Sequence, residues 1–180
     1  EYFRHFLFAR NRYILVWDRI DWSVYPSQLR VHCLADSVDI EGSSLRFHGI
    51  DGVDLLVSFA DPAEPEFHLG AVGPQKYALC RQDCQRDYVW ICQPLGPDDN
   101  EFTVTSVANH LVVGGKDANG TIFKDHIIYA KGDFGATVDV QGKCYRLDGS
   151  LALIRQEGGK EKIHLFDAES LKVEGSAEGG

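Results

Sequence analysis

Residues Tyr2 to Asp18 read YFRHFLFARNRYILVWD, two aromatic and β-branched runs joined by the polar pair Arg10–Asn11. Such side chains suit the pleated, half-buried surface of a strand and lose rotamer freedom in a helix. The stretch predicts a strand, a tight turn and a second strand, Arg12 to Trp17, ended by Asp18. Further short runs follow at Leu29–Leu34, Ser44–Ile50, Val53–Ala60, Tyr88–Cys92, Phe102–Val107, Leu111–Val113, Ile122–Phe123, Ile127–Ala130 and Phe134–Val140. The last ones are Lys143–Leu147, Leu151–Ile154 and Ile163–Phe166.

Turn chemistry separates these runs. Asp51–Gly52 predicts a type I′ hairpin, which needs positive φ at both central residues. Asn119–Gly120, Gln141–Gly142, Asp148–Gly149 and Gly158–Gly159 predict more turns. Asp61–Pro65 and Pro94–Asn100 read as loops, because proline cannot donate to a ladder. No apolar stripe at helical spacing lasts three turns, so little helix is expected beyond one turn at Glu169–Lys172. The expected fold class is all-β, an antiparallel multi-stranded β-sandwich. Residues 1–174 form one domain in this reading, and 175–180 (GSAEGG) a flexible tail.

The 180 residues carry a net charge of −9, which argues against a nucleic-acid partner. One local basic patch would still serve a smaller anion. No apolar run reaches membrane-spanning length, so no membrane partner is expected. The chain has no Met, which reads as a start that was cut, processed or designed. Five cysteines, Cys33, Cys80, Cys84, Cys92 and Cys144, cannot all pair within the chain. Cys80 and Cys84 lack a second pair at zinc-ribbon spacing. Mostly free, partly buried thiols are expected, with one disulfide left open; neither metal nor cofactor is expected.

His5, His32, His48, His68, His110, His126 and His164 are scattered, with none at metal-ligand spacing. His32 and Asp18 are read as lying on one sheet edge. There is no Gly-x-Ser-x-Gly elbow, and Gly114–Gly115 opens no helix, so it reads as a turn. The paired acids Asp98–Asp99 sit in a polar turn. Tyr2, Tyr13 and Trp17 are either core or an aromatic face for sugar rings. Asn119–Gly120–Thr121 fits both a glycosylation acceptor and a hairpin turn.

The run FRHFLFARNRYILVWDRI resembles the strand pair in the C-terminal β-domain of heparinase II/III-like polysaccharide lyases. There, Arg-His or Arg-Arg precedes an apolar strand, and an aromatic-led strand ending in Asp follows a short turn. LRVH (Leu29–His32) and YVWICQP (Tyr88–Pro94) are similar to later strands of that domain. The resemblance implies a non-catalytic C-terminal β-sandwich supporting an α/α-toroid, in a protein that cleaves uronic-acid polysaccharides by β-elimination. The family's His-x-His and His-Asn elements are absent, so no catalytic or zinc residue carries over. Arg4, His5 and His32 remain as candidate cleft-facing groups. The implied partners are the N-terminal toroid and an acidic polysaccharide, in a secreted or periplasmic setting. The alternative is a free-standing carbohydrate-binding or interaction module.

Overall fold

A computed structural model describes residues 2–9, 12–21, 25–82, 87–130 and 135–174. The class is the expected one: fourteen antiparallel strands, with no helix among the described residues. The tail 175–180, the Arg10–Asn11 turn, Trp22 and Cys84 lie outside the described residues. The chain divides into two compact units, Glu1–Glu101 and Phe102–Gly180.

Unit 1 holds β1 (Tyr2–Ala9), β2 (Tyr13–Ile20), β3 (Ser27–Glu41), β4 (Ser44–Gly49), β5 (Asp54–Asp61), β6 (Phe67–Val72), β7 (Gln75–Gln82) and β8 (Tyr88–Leu95). They form one sheet in the order β1-β2-β8-β5-β4-β3-β7-β6. The sheet folds over along β3. Residues Ser27–Leu34 pair with β7. After a register shift between Ala35 and Ser37, the strand pairs with β4. Asp36 is the extra residue, and an extra residue turns alternate side chains to the other face. Before it the odd positions Leu29 and Val31 enter the core; after it the even position Val38 packs there. Leu29, Val31, Ala78 and Cys80 thereby meet Phe47, Val57, Phe59 and Tyr88 in one cluster. The Tyr88 hydroxyl ties the layers by donating to the Ser27 carbonyl at 2.9 Å.

Unit 2 holds β9 (Thr103–Val107), β10 (His110–Lys116), β11 (Ile122–Tyr129), β12 (Ala136–Val140), β13 (Lys143–Glu157) and β14 (Lys160–Glu174). The order is β12-β13-β11-β10-β9, with β14 also on β13. Asp148–Gly149 runs on within β13, at a register shift against β14, and is not the expected turn. Asp148 pairs with Ser170 and Gly149 with Ala168, which leaves Glu169 unmatched. Glu169–Lys172 is therefore strand and not a helical turn. Tyr145 and Leu147 before the shift share a core with Ala152 and Ile154 after it.

Other differences have local causes. The Asp51–Gly52 connection is longer than a type I′ turn: Gly52 has φ of 75° but Asp51 does not reach positive φ. The Gly52 amide instead closes on the Gly49 carbonyl at 3.3 Å. Pro94 lies within β8, opposite Leu55. β2 pairs with β8 only as far as Cys92, so the missing amide of Pro94 falls on an open side. β6 and β7 escape the sequence reading because polar and exposed residues dilute their alternation.

A Cβ built on Gly49 would lie 1.9 Å from the Val53 carbonyl oxygen, whereas one on Gly42 meets nothing within 4 Å. Gly42 has φ of 63°, so alanine there should cost about 1–2 kcal/mol. Gly49→Ala should cost more, on the order of 3 kcal/mol, because backbone must move. Urea unfolding of the two variants checks the order; equal midpoints would show that the β4–β5 turn relaxes freely.

Candidate functional site

The opening hairpin pairs Arg4 with Asp18 and His5 with Trp17 across β1 and β2. Arg4 donates to the Asp18 carboxylate through Nε at 2.5 Å and Nη2 at 2.8 Å. The Tyr2 hydroxyl donates to the same carboxylate at 2.8 Å. Asp18 is 1% exposed, so both its oxygens are satisfied by this fork. The bond to Asp18 holds the Arg4 pKa up, and burial followed by that carboxylate raises the Tyr2 phenol.

His5 lies on the opposite face of β1, its ring 4.8 Å from that of Trp17. Its Nε2 is buried without a hydrogen bond. His32 is exposed on β3, 5.4 Å from the Tyr77 ring, which also carries the Arg30 guanidinium at 5.1 Å. β8, β5 and β4 separate β2 from β3, so Asp18 and His32 do not share a sheet edge. Arg4, His5 and His32 thus occupy three different environments, and the structure does not gather them into one site.

Unit 2 contains a groove of about 1160 Å³ that the sequence reading missed. Its floor is one face of β9, β10, β11 and β13, with Thr103, Thr105, Val112, Gly114, Lys124 and Gln156. The Gln141–Gly142 turn and the Gly158–Gly159 turn form its walls, with Lys143 and Lys160 beside them. Gln141 and Gln156 exchange two amide hydrogen bonds, at 3.1 and 3.2 Å. Lys143 lies 3.9 Å from Glu161, which also accepts from the Tyr145 hydroxyl at 3.0 Å.

Beside the groove floor, His110 Nε2 and His126 Nδ1 lie 3.0 Å apart. The ring centroids are 5.2 Å apart and the planes differ by 24°. A 3.0 Å nitrogen separation at that centroid distance places the rings edge to edge, sharing a single N–H···N proton. Their separation of sixteen residues hides them in the sequence; the diagonal register of β10 and β11 brings them together. Burial pushes both pKa values down, with Lys124 adding to the effect on each and His110 on His126. Asp139 opposes it at His110, and Gln156 and Asp125 at His126.

Cys33, Cys80 and Cys92 are free thiols. Burial lifts Cys80 to about 11 and Cys92 to about 12, which makes both poor nucleophiles. Among the described residues, no three His, Cys, Asp or Glu side chains are grouped to hold a metal ion. No family model, no curated protein and no solved structure matches this chain.

The paired imidazoles set a pH dependence. A histidine whose folded pKa is depressed binds more protons unfolded than folded, so its contribution to stability is full above the unfolded value near 6.5 and lost as pH falls. His48 works in the opposite sense: its bond to Asp39 raises it, and its contribution fades as pH rises. Its side chain is 37% exposed, so solvent screens it and the buried pair dominates. The urea midpoint should fall between about pH 7.5 and about pH 5.5. A His110→Gln/His126→Gln variant should lose much of that slope; an unchanged slope would place the titration elsewhere.

Proposed function

We propose that this chain is a non-catalytic β-module of a heparinase II/III-like polysaccharide lyase, supporting the helical toroid that performs β-elimination. The resemblance of the opening strand pair and the antiparallel all-β architecture both favour this reading. The observation that carries it is a row of aromatics on β1. Tyr2, Phe6 and Phe8 project from one face and are 56%, 54% and 71% exposed. Arg4 stands in the same row, but Asp18 balances its charge.

That face begins in the core. Across β2 and β8 it continues through Val16, Trp90 and Cys92, beside the buried cluster of unit 1. At β1 it runs out into solvent, and β1 pairs with β2 alone among the described strands. Apolar surface at an open edge is an association surface, because it invites both hydrophobic burial and strand addition. The toroid is its proposed occupant. Tyr13 and Trp17, the other aromatics considered for sugar stacking, are 2% and 0% exposed and serve the core.

Two measurements test the reading. The chain alone, incubated with heparin, heparan sulfate and alginate, should give no rise in ultraviolet absorbance from unsaturated uronate ends. Elimination by the chain alone would overturn it. Phe6→Ser/Phe8→Ser should leave stability within about 1 kcal/mol, since both side chains are exposed. The same variant should weaken association with a heparinase II/III-like toroid, supplied as a separate chain, by tenfold or more. Association unaffected by the two substitutions would remove the docking role of β1.

A further inference from the structure

We infer that the His110–His126 pair is a proton-operated latch on the Gln141–Gly142 turn, and that it frees this wall of the unit 2 groove as the pH falls below neutral. The inference stands on unit 2 and does not rest on the lyase reading.

A row of side chains runs across the sheet. Val112 pairs with His126, and Gly114 with Lys124, which pairs in turn with Gln156. His110, two residues before Val112, and Gln156 therefore project from the same face as His126. At one end of the row, His110 Nε2 lies 3.0 Å from His126 Nδ1. At the other, Gln156 and Gln141 exchange two amide bonds, at 3.1 and 3.2 Å, which clasp the β12–β13 turn to β13. His126 stands between them, 3% exposed, and its Nε2 has no hydrogen bond.

Proton counting sets the mechanism. In the neutral pair each ring carries one proton, and one of the two fills the N–H···N bond. A buried N–H without an acceptor is rarer than a bare acceptor, so His126 keeps its proton on Nδ1 and leaves Nε2 bare. One further proton changes this whichever ring takes the charge. If His126 is charged, both its nitrogens carry hydrogen. If His110 is charged, its Nε2–H donates to His126 Nδ1, and the His126 proton moves to Nε2. Either way a buried Nε2–H demands an acceptor. The Gln156 amide is within reach and favours the protonated ring. A hydrogen bond from a charged group is roughly twice as strong as one between neutral amides. The Gln156 oxygen is thereby drawn from Gln141 to the imidazole, and the clasp opens.

The turn is poised to respond. Gln141 sits at φ of 55°, which costs a residue with a side chain, and the clasp offsets that strain. Once released, the turn keeps the bond from the Gly142 amide to Asp139 at 3.0 Å but loses its tie to the sheet. The charges facing the pair set where this happens. Burial opposes the added proton most, and Lys124 on β11 opposes it on both rings. Asp139 on β12 favours it at His110. Asp125 favours it at His126 while held in the Arg155 fork from β13. On β9, Val107 stands opposite His110 and brings no charge. The closed latch is therefore complete above the ordinary histidine range near 6.5 and is lost as pH falls through and below it.

Hydrogen exchange and nuclear magnetic resonance of the full chain test the latch. Between about pH 7.5 and about pH 5.5, protection of the Gly142 and Lys143 amides, corrected for intrinsic rate, should fall at least fivefold more than that of Ile127 in the core. The Gln141 side-chain amide signal should move with the same midpoint as the His126 Nε2 signal. Gln156→Leu removes the acceptor, so turn protection should be low at both pH values and the pH effect lost. His48→Gln, in unit 1, should keep the effect. Turn protection that ignores pH, a fall no larger than at Ile127, or a pH effect that survives in Gln156→Leu would each overturn the inference. A Gln141 signal that moves independently of His126, or loss of the effect in His48→Gln, would do the same.

Discussion

Each unit of this molecule depends on a long strand that changes face partway along. A flat strand can present alternate residues to only one core. β3 and β13 are each fifteen residues long, and each belongs to two pairings in succession. The extra residue Asp36 in β3, and the unmatched Glu169 opposite the β13 bend, reset the alternation at the point where the sheet turns. Both extra residues are acidic and exposed, as fits a position that leaves the ladder. Without the shift at Asp36, Leu29 and Val38 would face opposite sides, and the cluster that unites β3, β7, β4, β5 and β8 would be split.

Polar pairs then fix neighbouring strands where hydrophobic contact alone would allow slippage. Asp18 takes the Arg4 fork between β2 and β1, and Asp125 takes the Arg155 fork between β11 and β13, at 2.8 and 2.7 Å. Asp125 is fully buried. A third buried carboxylate, Asp87, accepts from the Trp17 indole at 2.9 Å and the Ile20 amide at 3.1 Å. Removing one member of a buried pair costs roughly 3–5 kcal/mol, because the other charge stays buried. The cost of mispairing, more than the net attraction, gives these bonds their hold on register.

The same pairs explain which parts of the fold were legible in the sequence. The class, most strand positions and the Gln141–Gly142 and Gly158–Gly159 turns follow from alternation and glycine chemistry. The run Ile122–Tyr129 reads as two fragments because Lys124, Asp125 and His126 interrupt it. In the sheet, Arg155 and His110 satisfy two of those three, so the strand continues. Asp148–Gly149 looks like a turn because a turn and a register shift ask the same thing of glycine, and only the partner strand distinguishes them. Of the candidate residues, Arg4 is legible as an exposed cation but not as a locked one. The groove is invisible to local reading, since its parts come from Thr103 to Glu161 and meet through register.

Charge distribution links the two surfaces and limits what each can do. The chain as a whole repels a polyanion, but at physiological salt that repulsion is screened beyond about 8 Å. Inside that distance the nearest charges decide, and in the groove these include two lysines with no carboxylate in ion-pair range among the described residues. Such a site gains little from long-range steering and much from close fit. The β1 row works by the opposite rule. With the Arg4 charge balanced by Asp18, it presents aromatic surface that salt does not weaken. The groove thus depends on charge at close range, and the β1 row on apolar area.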